Sequence, residues 1–261
     1  MCALGLAASV SVGQVRFLGT DNEILHRADS NGNYLGAVTL ADGIVGMTVV
    51  PAGVALTGTS AGDIIAISSA QDGSNRYPLY RLDNPFGAAT LTQIGSIDRN
   101  LTSLTWKAGR LYGTNPLGAI REVNLATLDT GPADFAGPPS AGFGGMQYDS
   151  VNDRFILLTA NDDSLYSFVS PGPASLIGST GQLFNNSGIE FFQGTLYGAL
   201  DLEGSTDFLF GSFDLSSGAF TTLATVSGHR GGSVGFVAVP GPGVLALMGV
   251  GALAGLRRRR A

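Results

Sequence analysis

The sequence predicts an all-β protein: a β-propeller of about five four-stranded blades, closed by pairing the N- and C-terminal segments, with a short transmembrane-like helix at the C-terminus. Three observations carry this expectation. Short runs rich in Val, Ile, Tyr and Phe are bounded by Gly, Asn and Asp throughout the body, and no stretch before residue 240 has a helical period. A strand-turn-strand unit recurs, most clearly as Lys107-Ala-Gly-Arg-Leu-Tyr-Gly113 and Phe192-Gln-Gly-Thr-Leu-Tyr-Gly198. Successive units open near Ile44, Leu101, Phe143, Gly188 and Ser233, at intervals of 57, 42, 45 and 45 residues. Periods of roughly 40 to 45 residues with four strands each belong to propeller blades.

Residues 1–13 read as the remnant of a signal peptide. Leu4 to Val12 is apolar with small residues at Ser9, Ser11 and Gly13, and the alternative is a first strand over Ala7 to Val12. A basic n-region is missing, so the expectation is either a true start upstream of Met1 or that first strand. The body spans 14–239. Its second strands read as Arg16 to Gly19, Gly53 to Gly58, Lys107 to Gly113, Asn152 to Leu157 and Phe192 to Gly198. Third strands follow at Ile24 to Ala28, Ile120 to Leu125, Ser164 to Val169 and Phe208 to Leu215. Fourth strands follow at Leu35 to Leu40, Leu91 to Ile94, Ala174 to Ile177 and Phe220 to Val226. The long first interval predicts an extra hairpin around Asp63 to Asn75.

The segment Gly232 to Val239 has no partner after it, while Val15 to Leu40 supplies strands two to four of a blade. Joining them completes a fifth blade and removes open sheet edges, which otherwise template aggregation. A two-sheet β-sandwich or a larger, incomplete ring is the alternative architecture.

Composition limits function. With 44% apolar and 13% charged residues, 261 residues support a folded body of one sizeable domain or two small ones. The formal charge is −6, and setting aside the four arginines at 257–260 leaves −10. Nucleic-acid binding needs Lys and Arg against phosphates, so no nucleic-acid partner is expected. Cys2 is the only cysteine, which excludes an intramolecular disulfide. Sixteen Asp against four Glu fits acids seated in turns, where Asp bonds its own backbone.

No chemistry stands out. Gly58-Thr-Ser60-Ala-Gly62 matches a nucleophile elbow, but a strand follows it where a helix is required, so a hairpin turn is expected. The two histidines, His26 and His229, suggest no triad order. Asp29-Ser-Asn31-Gly32-Asn33 and Asp72-Gly73-Ser-Asn75 cluster oxygen ligands, yet neither has a calcium-loop pattern, and both read as Asx-rich turns. Glu23, Glu122, Glu190 and Glu203 are the only glutamates and read as solvent-exposed, although two carboxylates facing one channel would support hydrolysis. Trp106, Tyr112, Tyr166 and Tyr197 fall in strands and read as core. No zinc spacing and no phosphate-cradling loop occurs, so no metal and no cofactor is expected.

The tail, 240–261, differs from everything before it. Pro240, Gly241 and Pro242 form a turn, Gly243 to Leu256 is apolar, and Arg257, Arg258, Arg259 and Arg260 follow. As a helix, fourteen residues rise about 21 Å against roughly 30 Å for a bilayer core, with arginine stems reaching the cytoplasmic interface. This order of parts resembles the PEP-CTERM sorting signal, with Gly241 where that family usually has Glu. The resemblance implies recognition by an exosortase-type membrane protease, cleavage near the Pro-Gly-Pro motif, transient inner-membrane association, and delivery to the cell envelope or extracellular matrix. Exopolysaccharide or envelope components would be partners there. The expectation is thus an exported, non-catalytic propeller with a binding or structural role. The alternatives are a secreted propeller enzyme, hydrolysing a polysaccharide or lactone, and a permanently membrane-anchored scaffold.

Overall fold

The computed structural model of the chain describes residues 15–135, 142, 144–169, 173–228, 231–232 and 234–240. Twenty strands form five four-stranded antiparallel sheets, and no helix occurs among the described residues. Blade A holds β1 (Val15–Asp21), β2 (Ile24–Asp29) and β3 (Tyr34–Thr39). Blade B holds β4 (Ile44–Val49), β5 (Ile64–Ser68), β6 (Tyr77–Asp83) and β7 (Thr90–Ile97). Blade C holds β8 (Ser103–Lys107), β9 (Arg110–Thr114), β10 (Ile120–Val123) and β11 (Thr130–Phe135). Blade D holds β12 (Met146–Asp149), β13 (Arg154–Thr159), β14 (Ser164–Phe168) and β15 (Ser175–Ser179). Blade E holds β16 (Phe184–Phe192), β17 (Thr195–Leu202), β18 (Asp207–Phe213) and β19 (Phe220–Ser227). The inner strand of blade A is the last one, β20 (Phe236–Pro240), which pairs antiparallel with β1 from Gly19↔Phe236 to Val15↔Pro240.

The inner strands β20, β4, β8, β12 and β16 each meet the next, and β16 meets β20, so the ring is closed. Between blades lie five apolar cores, each built from two adjacent blades. The E–A core is aromatic: Phe17, Phe208, Phe210 and Phe236 are at most 1% exposed, and Phe17 stacks on Phe210 at 5.9 Å. Side chains alternate between the two faces of each strand, so one blade feeds two neighbouring cores. Leu111 joins the B–C core and Tyr112 the C–D core.

The sequence repeat has a local cause. Ala108-Gly109 and Gln193-Gly194 link inner to second strands with φ of 50° and 78°, and 51° and 83°. Positive φ at both central residues is the two-residue hairpin whose twist matches the strands.

Three expectations are corrected. Gly53 to Gly58 is not a strand: residues 50–63 form a long loop between β4 and β5, and this loop, with the eight-residue link before β6, accounts for the long first interval. The extra hairpin around Asp63 to Asn75 is therefore absent, because Ile64–Ser68 is the second strand of blade B and pairs with both β4 and β6.

The membrane-like C-terminal helix is also corrected: the described residues hold strands and turns, with no helix long and apolar enough to cross a membrane. The segment 243–256 is short for a bilayer, and each of its glycines at 243, 249, 251 and 255 lowers helix propensity. The transient inner-membrane association, the exosortase-type partner and the membrane stage of localisation depended on that helix and fall with it. Gly241, Pro242 and Arg257 to Arg260, like residues 1–13, lie outside the described residues, whereas Pro240 ends β20 opposite Val15.

Candidate functional site

Aligning the inner strands by their pairing to the second strands puts Gly46, Ser103, Gly145, Gly188 and Gly235 at one level around the axis. Blades meet there at backbone distance. A Cβ on Gly188 would lie 2.6 Å from the Phe236 Cβ, and one on Gly145 would lie 2.7 Å from the Ile189 nitrogen. Ser103 fits the same level because its hydroxyl bridges to blade D, accepting from Met146 N at 2.9 Å and donating to Met146 O at 3.1 Å.

Two residues further along, Thr48, Thr105, Gln147, Glu190 and Val237 are between 0 and 9% exposed. All five side chains are shielded from solvent, Val237 within the A–B core. A polar chain crosses three of the five blades: Thr105 Oγ1 donates to Gln147 Oε1 at 2.8 Å, and Gln147 Nε2 donates to Glu190 Oε2 at 2.9 Å. The next blade presents Val237, so the chain ends at Glu190. Burial pushes the Glu190 carboxyl well above the ordinary carboxylate range, because desolvation disfavours its ionised form. The expectation that Glu190 is solvent-exposed is therefore corrected.

The other glutamates do not converge on it. Glu23 and Glu203 are exposed in turns on the rim where inner strands begin, and Glu122 lies out on β10. Glu190 alone among the four sits on an inner strand, and no group of three metal-ligating side chains occurs among the described residues.

The remaining sequence candidates settle into structural roles. Ser60 lies in a turn, its N–H donating to Asp63 Oδ2 at 2.8 Å. Asp29 and Asp72 spend their oxygens on the backbone and side chains of their own turns, Asp29 on Asn31 and Asn33, Asp72 on Ser74 and Arg76. His26 is buried in β2, 3.2 Å from the Tyr34 hydroxyl and packed on the Phe208 ring. His229 lies outside the described residues. Tyr112 is buried and Tyr197 packs on Phe17 at 5.2 Å, as core residues should.

The one lysine, Lys107, clamps blade C to blade D. Its ammonium lies 2.9 Å from Asp153 Oδ1 and 4.9 Å above the Tyr148 ring. Tyr148 donates to the same Asp153 oxygen at 2.7 Å; that bond, with burial, pushes its phenol up to about 12.

Outward from this clamp a cavity of about 430 Å³ opens on blade C. Arg110 and Glu122 stand over it, with Gly109, Asn124, Gly131 and Pro132 around them. Glu122 pairs with Tyr112 across β10 and β9, so both project toward blade D. Its Oε2 accepts from Arg110 Nη1 at 3.1 Å and from the Tyr112 hydroxyl at 3.3 Å. Tyr112 is itself fixed by edge-on contact with Phe155 at 5.6 Å. The pair also raises the Arg110 guanidinium above its usual range, so it stays ionised. Register slips on both sides of Arg121 bulge β11 beside the cavity, and bulges re-aim side chains in this way. A smaller groove, about 190 Å³, lies between blades D and E, with Tyr148, Val151, Phe191 and Leu215 among its walls. Sequence reasoning missed the Arg110–Glu122 arrangement because the two residues belong to different strands and meet only through register.

No protein-family model matches the chain, and no curated protein does. In fold it is similar to a structure of a nidogen/laminin complex, at 10% identity over 86% of this chain and 98% of that one, with a TM-score of 0.48. It is also similar to an auxiliary nutrient binding protein from Bacteroides ovatus, at 10% identity over 77% of this chain and 52% of that one, with a TM-score of 0.47. A third likeness is to hydrazine synthase of Kuenenia stuttgartiensis, at 11% identity over 71% of this chain and 49% of that one, with a TM-score of 0.43. The chain spans about half the length of the last two. Likeness at this level concerns fold and says nothing of ligand or activity.

Proposed function

We infer that this propeller is a non-catalytic binding protein that meets its ligand on the blades and not in the central channel. The packed hub carries this reading. Inner strands touch at glycine, and the five side chains two residues further along are at most 9% exposed, which keeps the one acid there, Glu190, out of reach of a substrate. Glu190 has Gln147 as its polar partner and no second carboxylate beside it on the ring. The cavity on blade C is within the roughly 300 to 1,000 Å³ that small-ligand sites occupy.

The test uses the full chain with a panel of neutral glycosides and capped dipeptides, followed by ligand-observed NMR and then by mass analysis of each ligand after prolonged incubation. Saturable binding with every ligand recovered unchanged is the expected result. A new product mass, or silence across the whole panel, overturns the reading.

A further inference from the structure

We propose that the cavity on blade C binds a sugar residue through a vicinal diol held between Arg110 and Glu122. This deepens, and rests on, the binding reading above. Among the described residues, one oxygen of Glu122 is engaged, by Arg110 and Tyr112, and one terminal nitrogen of Arg110, by Glu122. A carboxylate oxygen that accepts and guanidinium N–H groups that donate therefore stand side by side, open to the cavity, their side chains 37% and 65% exposed. Adjacent hydroxyls on one ring supply the matching donor and acceptor at matching separation. The pair is charge-compensated, so neither an anion nor a cation gains by entering, and a neutral polyol is the class that fits.

Position is fixed from beneath. Tyr112 is only 8% exposed and holds the Glu122 carboxylate from the core side, so the fork is set before a ligand arrives and little ordering is left to cost affinity. Pro132 lines the same cavity, is exposed, and offers apolar surface to the C–H face of a ring, whereas Val123 and Leu125 turn to the B–C core.

A peptide amide also carries a donor beside an acceptor, but the outer strand argues against it. β11 is the edge of blade C, where a peptide would have to add as a further strand. Pro132 removes a backbone donor from that edge, and the bulges interrupt its ladder. The wall of the cavity is thus built to refuse strand addition while leaving the fork accessible.

The experiment titrates the full chain with methyl α-mannopyranoside, methyl α-glucopyranoside, their permethylated forms and a capped dipeptide, by calorimetry and ligand-observed NMR. Wild type, Arg110→Met, Glu122→Ala and, as a control in the other groove, Val151→Ser are compared after thermal melting establishes that each is folded. The expected result is binding of a free glycoside, none of its permethylated form, a loss of about tenfold or more in Arg110→Met and Glu122→Ala, and no change in Val151→Ser. Glycoside binding that ignores the Arg110 and Glu122 substitutions overturns the assignment and leaves the binding reading standing. Dipeptide binding that the same substitutions abolish, with the glycosides silent, assigns the cavity to peptides and does the same. Cleavage of a glycoside overturns the binding reading itself, and no response from any probe overturns both.

Discussion

Gln147 Nε2 lies 2.9 Å from Glu190 Oε2 across the boundary of blades D and E, the last link of a polar chain running toward an apolar neighbour. The Gln147 amide offers the carboxyl one hydrogen bond and no compensating charge. Ionising Glu190 would put an unpaired negative charge between packed strands, and burial disfavours this strongly.

The first prediction concerns pH. Because the folded pKa of Glu190 is raised, its contribution to stability is fully present below the ordinary glutamate pKa and is lost as pH rises through the folded value. Glu190→Gln keeps an acceptor at that place and cannot ionise. Urea unfolding at pH 5 and pH 8 should show the variant gaining on wild type at the higher pH. Equal differences at both values would remove the buried acid as the cause. Asp149 works in the opposite sense: burial raises its carboxyl, but hydrogen bonds from Asn152 and Arg154 outweigh this and hold it low, so its contribution is lost as pH falls.

The second concerns the hub. Gly188→Ala would place a methyl 2.6 Å from the Phe236 Cβ and 2.9 Å from its backbone nitrogen, neither of which can swing aside. Overpacking of this kind costs about 1 to 3 kcal/mol or more. The urea midpoint should fall accordingly, while Gly194→Ala, in an open turn, should cost less, through its positive φ alone.

The third concerns the aromatic E–A core. Phe17→Ala removes a fully buried ring that meets Tyr197, Phe210 and Phe236, and should cost about 3 to 5 kcal/mol. Val151→Ala, at an exposed site, should fall within about 0.5 kcal/mol of wild type. Chemical unfolding of both variants checks the contrast.

The fourth concerns the clamp. Lys107 and Asp153 are partly and largely exposed, so a double-mutant cycle to alanine should return no more than about 1 kcal/mol, smaller at high salt. Asp153→Ala should also bring the Tyr148 phenol down from about 12, read by ultraviolet absorbance in a pH titration against wild type.

The blade count and the closing of the ring were legible because hairpin chemistry repeats in the chain. Ala-Gly and Gln-Gly before Leu-Tyr-Gly are local signals, and local signals survive in a single sequence. The fourth strand of blade C was not read, since Gly131 and Pro132 are depleted in strands and only its pairing with β10 makes it one. The loop over 50–63 was misread for the converse reason, an apolar run at Val54 to Leu56 that serves the B–C core without entering a sheet. The hub was least legible of all. That Thr105, Gln147 and Glu190 form one chain follows from their common level in three blades, a relation between residues more than forty apart. The cavity pair has the same character, with Arg110 and Glu122 twelve residues apart in different strands.

The junction of β1 with β20 also sets the order of events during folding. Thr20 and Gly235, which exchange hydrogen bonds at that junction, are separated by 215 positions. Pairs so distant in sequence form slowly, because the intervening chain must first lose its freedom. Blades B to E can each assemble from consecutive segments, whereas blade A waits with three strands and no inner one. The ring should therefore acquire its last cooperative contacts at a single late step, and the lifetime of the open form is set by one strand of five residues.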